Sequence, residues 1–373
     1  MSSKNKKIIY VTYQTFPAET ANSLQSISNI KYFLKNNIDI SLYFPLREKN
    51  SSDNIKVLQN KYKIEEDFFV QGVKHYLPFG RIRFLEKVSF HFSHLIWSFI
   101  LVNKYFKNRS KEDIFFTRSE WLMYFLSKKE SLVIYECHQT SRVRNYLINK
   151  VKDRDNIKFI FLNENLSNFY SISQKNSITL HNAVDHELFQ NNSVTKTNTL
   201  IFVGNLSRFS ESRNIDFLID FYRDNPKFRK YNLNIVGGPK AEASRLSLRI
   251  KEYSLENVIK IHGRLNREDS IRAIQASKIG ILINSNTNLH SFEHTSPLKY
   301  FEYIYGGLGV IAIDFPAHRV LPYNENISYF QENNSESFSR AIENSLEAKS
   351  LEFENLEKIT IDARVKKIIN FIN

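Results

Sequence analysis

The sequence has a single cysteine, Cys137, and only 10 glycines and 8 prolines among 373 residues. One cysteine excludes an intramolecular disulfide, which is consistent with a reducing cytoplasm. The scarcity of glycine and proline excludes fibrous and low-complexity architectures. The sequence also lacks a long apolar run. The apolar stretch after the basic N-terminus is too short for a signal peptide, and Val88–Phe106 contains too many polar residues for a membrane-spanning helix.

The sequence does contain ample material for packed cores. Hydrophobic residues make up 42% of it and aromatic residues 14%. Because 373 residues are more than one core usually supports, two domains are expected. The formal net charge is +13. A balance this basic favours anionic partners, which include phosphates, nucleic acid and an anionic membrane surface.

Short β-rich runs alternate with helical patterns in both halves of the chain, which favours parallel α/β sheets. In residues 1–190 the predicted strands are Ile8–Tyr13, Ile38–Phe44, Ile114–Thr117, Leu132–Glu136, Phe159–Leu162 and Ser177–Leu180. In residues 198–355 they are Leu200–Val203, Leu233–Val236, Val258–His262, Ile279–Ile283 and Gly309–Ile313. The polar segment Gln190–Asn198 is interpreted as a linker.

The predicted fold is therefore α/β, with two doubly wound Rossmann-like domains facing a cleft. Open sheets of this type bind ligands at the carboxyl ends of their strands. One option for the final helical stretch, 356–373, is that it packs back on the first domain.

The most informative segment is Glu293–Val310, EHTSPLKYFEYIYGGLGV. Ser296 followed by Pro297 predicts a helix start, because serine caps free amides and proline fits the first helical position. The free amides and partial positive charge of a helix N-terminus suit a phosphate. Such an anion would offset the charge of Lys299 in the first turn.

Glu302 lies near the middle of this predicted helix, on a face with few charged neighbours. A carboxylate there could accept hydrogen bonds from the two vicinal hydroxyls of a ribose. The alternative interpretation is an ordinary capped helix in which Lys299 and Glu302 are both exposed.

The stretch SPLKYFEYIYGGLGVIA resembles the donor-binding signature of retaining GT-B glycosyltransferases of family 4, the group 1 transferases. The family pattern has two glutamates separated by seven residues, and Glu302 matches the second, which binds the donor ribose. His294 occupies the place of the first, with Glu293 one position earlier, so either could supply the sugar contact. The resemblance also implies that the backbone of Thr295–Leu298, which includes Pro297, meets the diphosphate and the sugar.

Phe202–Leu218 resembles the opening of the family's donor domain, a strand, a turn at Gly204 and a basic residue before a helix. The resemblance implies two basic side chains on the diphosphate. Arg213 matches the second and Arg208 is nearest to the first, with ordinary surface arginines as the competing interpretation. The family's nucleotide base meets the loop after the strand Val258–His262, where Arg264 is a candidate.

The first half resembles the family's first β-α-β unit. Asn22 and Ser23 would face the cleft from a helix N-terminus, or else act only as a cap and turn. Arg118 and His138 lie where predicted strands give way to helices. His138 matches the family histidine that reaches the donor sugar. The alternative interpretation is a purely structural histidine. A nucleophilic pair of Cys137 and His138 is not expected, because neighbours on a strand point to opposite faces.

The resemblance implies transfer of a sugar from a nucleotide-diphosphate sugar to an acceptor hydroxyl with retention, in bacterial surface polysaccharide or glycolipid synthesis. The expected partners are the nucleotide sugar and a glycan or lipid-linked acceptor. No metal or other cofactor is expected, and no Cys/His metal spacing is present. Asp153-Arg154-Asp155 imitates the metal motif of another transferase fold but lies in a charged segment.

Residues 80–109 combine an apolar, aromatic run with a basic rim, which suits peripheral contact with an anionic membrane at the cytoplasmic face. The alternative is a core helix with solvated charged ends. The basic residues are Arg81, Arg83, Lys87, Lys104, Lys107 and Arg109.

Two other classes of protein compete with a transferase. The charge suits a nucleic-acid-binding protein, but no recognisable nucleic-acid-binding motif is present, so no nucleic-acid partner is expected. A GT-B-like sugar- or nucleotide-binding protein without transferase activity is the second, and His294 in place of the first glutamate favours it. A nucleotide-sugar epimerase of the same fold is a nearer relative of the transferases.

Overall fold

The structure is a computed structural model that describes residues 7–77, 85–189, 194–208, 211–347 and 351–373. The chain forms two compact units. Unit one comprises residues up to Leu180 together with Val365–Asn373, and unit two comprises His181–Arg364. The division thus falls before the predicted linker Gln190–Asn198. Residues 190–193 of that linker lie outside the described residues. The last residues of the chain belong to unit one.

Unit one contains a seven-stranded sheet in the order β3-β2-β1-β4-β5-β6-β7, in which every neighbouring pair is parallel. Its strands are β1 (Lys7–Val11), β2 (Asp39–Leu46), β3 (Phe69–Lys74), β4 (Ile114–Thr117), β5 (Leu132–Cys137), β6 (Ile157–Phe161) and β7 (Ser177–Thr179). Its connecting helices are α1 (Ala21–Lys35), α2 (Ile55–Tyr62), α3 (Glu86–Tyr105), α4 (Glu120–Leu126), α5 (Arg142–Val151) and α6 (Glu164–Tyr170).

Unit two contains a six-stranded parallel sheet in the order β12-β11-β8-β13-β14-β15 and a short antiparallel pair, β9 with β10. The strands are β8 (Thr199–Val203), β9 (Ser207–Arg208), β10 (Glu211–Ser212), β11 (Asn232–Val236), β12 (Ile259–Gly263), β13 (Ile279–Leu282), β14 (Gly309–Ile313) and β15 (Ile327–Phe330). The helices are α7 (Ile215–Asp224), α8 (Lys240–Glu252), α9 (Arg267–Gln275), α10 (Leu298–Tyr305), α11 (Pro316–Arg319), α12 (Ser335–Glu347), α13 (Phe353–Lys358) and α14 (Ile361–Ile372), the last of which continues into unit one.

Continuous apolar runs explain the central strands of both sheets. Ile8, Ile9 and Tyr10 of β1 are all fully buried, as are Leu200 and Ile201 of β8. A strand covered by helices on both faces is apolar at consecutive positions rather than at alternate ones. The predicted α/β class of two doubly wound domains is therefore confirmed.

The order of strands reverses once in each sheet, between β1 and β4 in unit one and between β8 and β13 in unit two. In doubly wound sheets, a ligand crevice forms at the carboxyl ends of the strands at this reversal. The segments that follow β8 and β13 therefore occupy the expected ligand-binding edge of unit two. Within the described ranges, no helix combines the length and apolarity needed to cross a membrane.

Candidate functional site

The loop that leads into α10 is anchored to the start of unit two. The Oγ of Ser296 accepts a hydrogen bond from the backbone N–H of Asn182 at 3.0 Å, and the Asn182 side-chain amide donates to the Ser296 carbonyl. The predicted cap by Ser296 is wrong: α10 begins at Leu298, and Pro297 holds the N-cap position without a side-chain hydrogen bond. Ser296 instead fixes the path of Thr295–Leu298 at the carboxyl edge of the sheet.

Glu302 is buried in unit two, with 2% of its surface exposed. Its Oε1 lies 2.6 Å from Nη2 of Arg267, and its Oε2 lies 2.8 Å from Nζ of Lys299. The expectation of few charged neighbours is therefore wrong, as is the alternative of an exposed Glu302. A buried carboxylate needs such partners, because burial without them carries a large desolvation cost.

These contacts determine the charge of the Glu302 side chain. Burial alone raises the pKa of its carboxyl, but Arg267 and Lys299 outweigh burial and lower the pKa to about 2. Burial also lowers the pKa of the Lys299 ammonium, against the opposing effect of Glu302. Glu302 thus offsets the charge of Lys299 in the first turn of α10. The sequence analysis had predicted that a bound anion would do so.

Sequence reasoning missed Arg267, the first residue of α9. The available signal was its position just beyond the carboxyl end of β12, at the edge where ligands bind to such sheets. Its pairing with Glu302 depends on α9 packing beside α10, although the two residues are far apart in the sequence. Only the tertiary fold brings them together.

The ends of β8 and β11 approach each other closely, and Arg213 lies beside them. A Cβ atom on Gly237, after β11, would stand 1.7 Å from the carbonyl oxygen of Gly204, after β8, so only glycine fits there. A Cβ atom on Gly204 would stand 3.2 Å from Nη1 of Arg213. The Arg213 guanidinium therefore lies at the end of β8. Arg208 ends β9, but its side chain lies outside the described part of the structure.

A cavity of about 720 Å³ opens between β12 and α8. Arg264 lines it, with its Nε 2.9 Å from where a Cβ atom on Gly238 would stand. Lys240, Lys251 and His262 line the cavity as well, so its wall is basic. Arg264 is thus placed beside the glycine turn that follows β11.

Glu293 and His294 share one π-helical turn, His290–His294. The His294 side chain is 1% exposed and that of Glu293 is 39% exposed, and His294 Nε2 lies 3.7 Å from Glu293 Oε2. Burial lowers the pKa of His294, against the opposing effect of Glu293. Of these two residues, Glu293 is the one whose side chain reaches solvent.

The carboxyl edge of unit one carries a second polar group. Arg118, after β4, donates from Nε to Oε2 of Glu136 at 2.9 Å and from Nη1 to the side-chain oxygen of Asn22. The other Glu136 oxygen lies 3.5 Å from Nε2 of His138, which follows β5. Burial opposes the charge of Arg118, but Glu136 outweighs it and raises the pKa of Arg118. Glu136 therefore connects Arg118 and His138, two of the residues predicted for this edge.

Asn22 and Ser23, the two residues predicted at the N-terminus of α1, have different surroundings. Thr20 is the N-cap and accepts a hydrogen bond from the backbone N–H of Ser23 at 3.1 Å. Ser23 is buried and its hydroxyl lies 2.8 Å from that of Thr20, so its side chain has the role of a local turn contact. Asn22, by contrast, is exposed and contacts Arg118.

Sequence reasoning also missed a cluster around Tyr13. The Tyr13 ring stacks on His94 with centroids 3.9 Å apart, and the Arg47 guanidinium lies 4.5 Å from the centroid of the same ring. The Tyr13 hydroxyl lies 2.7 Å from Nε2 of His75. Tyr13, Arg47 and His75 follow β1, β2 and β3, so their common position at a strand end was the available signal.

The single cysteine, Cys137, is buried in unit one. Burial raises the pKa of the Cys137 thiol to about 11, and the thiol faces the backbone carbonyl of Gln139. The thiol is therefore protonated at neutral pH and is not a nucleophile. No group of three or more His, Cys, Asp or Glu side chains in the described ranges is arranged to hold a metal ion.

The second half of the chain matches a known family. The family described as glycosyl transferases group 1 matches residues 184–364. This part of the chain belongs to the glycosyl transferases group 1. The matched residues include the anchored loop, α10 with Glu302, and Arg267, whereas Asn22, Arg118 and His138 lie outside the match. Among curated proteins, none matches the sequence.

Solved glycosyltransferase structures share the fold over nearly the whole chain. Sucrose-phosphate synthase from Thermosynechococcus elongatus is 13% identical with a TM-score of 0.72, covering 99% of this chain and 98% of its own. HepE of Anabaena, solved in complex with UDP and glucose, is 12% identical with a TM-score of 0.68, covering 99% of both chains. A glycosyltransferase from Rickettsia africae is 14% identical with a TM-score of 0.68, covering 98% and 97%. At these identities the likeness concerns the fold, which is GT-B.

Proposed function

We propose that the protein is a glycosyltransferase that moves a sugar from a nucleoside-diphosphate sugar to an acceptor hydroxyl, with retention at the anomeric carbon. The observation that carries the proposal is the buried Glu302 carboxylate, held between Arg267 and Lys299 at the carboxyl edge of the family domain. Each carboxylate oxygen has two lone pairs and is engaged by one cation. Glu302 therefore retains the capacity to accept hydrogen bonds from both hydroxyls of a ribose.

The diphosphate is proposed to lie against Thr295–Leu298. The first amides of α10 have no partners within the helix and carry partial positive charge. Arg213 and Lys299, with Arg208, supply the cationic side chains. Fixed positive groups at the leaving diphosphate stabilise the charge that develops there as the glycosidic bond breaks. These groups take the part that a metal plays in other transferases, so the reaction is proposed to need none.

The reacting sugar is proposed to contact the turn that contains Glu293 and His294 in unit two, and His138 of unit one is retained as a proposed catalytic residue. Glu293 is favoured over His294 as the direct contact, because its side chain reaches solvent whereas His294 is buried. The base is proposed to lie near Arg264, beside the cavity between β12 and α8. HepE was solved with UDP and glucose, which makes UDP-sugars the first donors to test.

The acceptor is proposed to be a glycan or a lipid-linked sugar, bound on the side of Asn22 and Arg118. Ser23 of this predicted group acts through the turn that positions Asn22, because it is buried. We place the reaction in the cytoplasm, at the inner face of the membrane, in the synthesis of a bacterial surface polysaccharide or glycolipid. The net charge of +13 supports contact with anionic partners there.

A ligand screen followed by a turnover assay tests the proposed function. The full chain is heated with a panel of nucleoside diphosphates and nucleotide sugars, and each ligand that raises the melting temperature is incubated with and without hydroxyl acceptors. Release of the nucleoside diphosphate and a product of retained configuration are expected. A shift without release would favour the alternative that His294 suggests, a binding protein without activity. The absence of any shift would refute the donor site.

Replacing Arg267 by glutamine should weaken donor binding about tenfold, because one of the two cations that keep Glu302 ionised is lost. The pKa of Glu302 should then rise from about 2 towards its ordinary value. Since protonation removes an acceptor, donor affinity of the variant should fall as the pH is lowered from 7 to 4, whereas the wild-type carboxyl stays ionised over this range and its affinity should not fall. Titration calorimetry at both pH values measures this.

Two further variants sharpen that test. Arg267→Lys keeps the charge and should restore both the affinity and its insensitivity to pH. Arg272→Gln, on the exposed side of the same helix, should change neither. Equal donor affinities of wild type and Arg267→Gln at both pH values would show that Arg267 does not control the ionisation of the Glu302 carboxyl.

A further inference from the structure

Helix α3 exposes apolar side chains along its outward face. Leu85 just before the helix, then Val88, Phe92, Phe99 and Ile100, are between 48% and 64% exposed. The spacings of three, four and seven residues from Leu85 to Phe99 place these side chains on one helical face. We refer to these five residues as the α3 surface.

The opposite face of α3 is packed in the core of unit one. Trp97, Leu101 and Val102 are buried there, in the same apolar cluster as Phe115 and Leu122. The core-helix interpretation is therefore correct for this inner face. Packing within unit one leaves the apolar side chains of the outer face about half exposed, so it does not fully explain them. Large exposed apolar patches mark contact with membranes or other proteins.

Charged residues lie near the two ends of the α3 surface. From residue 88 to residue 103 the sequence contains no Asp, Glu, Lys or Arg. Lys104 lies one turn beyond Ile100, and Lys107 follows the end of the helix; both are exposed. The one acidic residue of α3, Glu86, lies at the other end.

A further lysine, Lys128, lies two residues beyond the end of α4 and borders the surface. The rings of Phe99 and Phe125 contact each other with centroids 5.6 Å apart. Lys128 Nζ lies 4.3 Å from the ring centroid of Tyr124 and 5.8 Å from that of Phe125. Aromatic side chains next to exposed ammonium groups match the boundary between acyl chains and phosphate headgroups. Arg81 and Arg83 lie outside the described residues, as does the side chain of Lys87.

We infer that the α3 surface docks on a membrane of anionic phospholipids, with α3 lying in the plane of the interface. The apolar side chains enter the acyl boundary while Lys104, Lys107 and Lys128 meet the phosphates. The charge favours a lipid surface over a second copy of the chain, because each copy carries a formal net charge of +13. The inference rests on the proposed function only for the expectation that this membrane carries the acceptor.

Vesicle sedimentation tests the docking without any sugar donor. The full chain is mixed with vesicles of phosphatidylglycerol and phosphatidylcholine, or of phosphatidylcholine alone. Binding is expected to the anionic vesicles and to weaken with added salt. The variant Phe92→Ser/Phe99→Ser should bind about tenfold more weakly, because two half-exposed phenyl rings no longer enter the bilayer. The variant Lys104→Gln/Lys107→Gln/Lys128→Gln should lose about tenfold or more on anionic vesicles only.

A matched control lies on unit two. Leu248 of α8 is 71% exposed, and Leu248→Ser should bind vesicles like the wild type. Unchanged binding of the phenylalanine variant, with an unchanged melting temperature, would overturn the inference. So would a wild-type dimer that this variant dissociates while vesicles capture neither protein. If the protein transfers sugar but does not bind vesicles, the membrane inference is refuted and the proposed function stands. If it binds vesicles but transfers no sugar, the proposed function is refuted and the membrane inference stands.

Discussion

Glu302→Ala is expected to abolish the thermal shift that the best nucleotide-sugar ligand produces, and Lys299→Ala to do the same at moderate ligand concentrations. Hydrogen bonds to a charged group contribute about 1.5–3 kcal/mol each, so losing both ribose contacts at Glu302 weakens binding roughly 100-fold or more. Lys299 is 2.8 Å from Glu302 and sits at the proposed diphosphate, so its loss affects both groups. Melting curves across a ligand titration measure the effect.

Removing a buried charge also destabilises the protein, so binding must be separated from folding. Glu302→Gln keeps the shape of the side chain, and its melting temperature without ligand reports the structural cost alone. Glu336→Ala, in an exposed pair with Arg340, is the control that should leave the ligand shift unchanged. If both Glu302→Ala and Lys299→Ala kept the full shift, the donor would have to bind elsewhere.

Glu120→Gln is expected to destabilise unit one by about 3–5 kcal/mol, because it leaves a buried guanidinium without its counter-charge. Glu120 Oε2 lies 3.1 Å from Nη2 of Arg144, and both side chains are at most 10% exposed. Arg144 also donates to the Tyr135 hydroxyl and the Gln139 carbonyl, both at 2.8 Å, but these neutral groups cannot balance its charge. The melting temperature of unit one should fall by roughly 10 °C.

An exposed pair in the same unit provides the control. Glu130 lies 2.5 Å from Lys111, with side chains 70% and 74% exposed. Solvent screens such a pair, so Glu130→Gln should change the free energy of unfolding by less than about 0.5 kcal/mol. Denaturant melts of both variants, followed by circular dichroism, make the comparison. Equal small losses would mean that Arg144 is stabilised by something other than Glu120.

Elements in the interior of the sheets were predictable because their patterns are local. The strands β1 and β8 are continuous apolar runs, and their predicted bounds lie within two residues of the observed ones. The edge strands β3 and β15 were missed, because they are only partly buried and carry mixed polarity. Their place in a sheet depends on neighbours that are distant in the sequence.

The candidate site divides in the same way. Glu302, Lys299 and Arg213 were predicted because they stand at fixed offsets in segments that resemble a family signature. The capping role of Ser296 was wrong, because its hydroxyl is engaged by Asn182, more than a hundred residues earlier. A local pattern cannot show that a distant backbone amide competes for the same oxygen.

The amino-acid sequence by itself determined the α/β class, the number of domains and the helix that carries Glu302, since burial patterns and helix signals act over a few residues. Only the tertiary structure decided which charges meet. It placed Arg267 against Glu302 and Glu136 between Arg118 and His138, because parallel strands bring their carboxyl ends to one edge whatever their separation along the chain. It also decided that one face of α3 lies in the core while the other carries exposed apolar side chains.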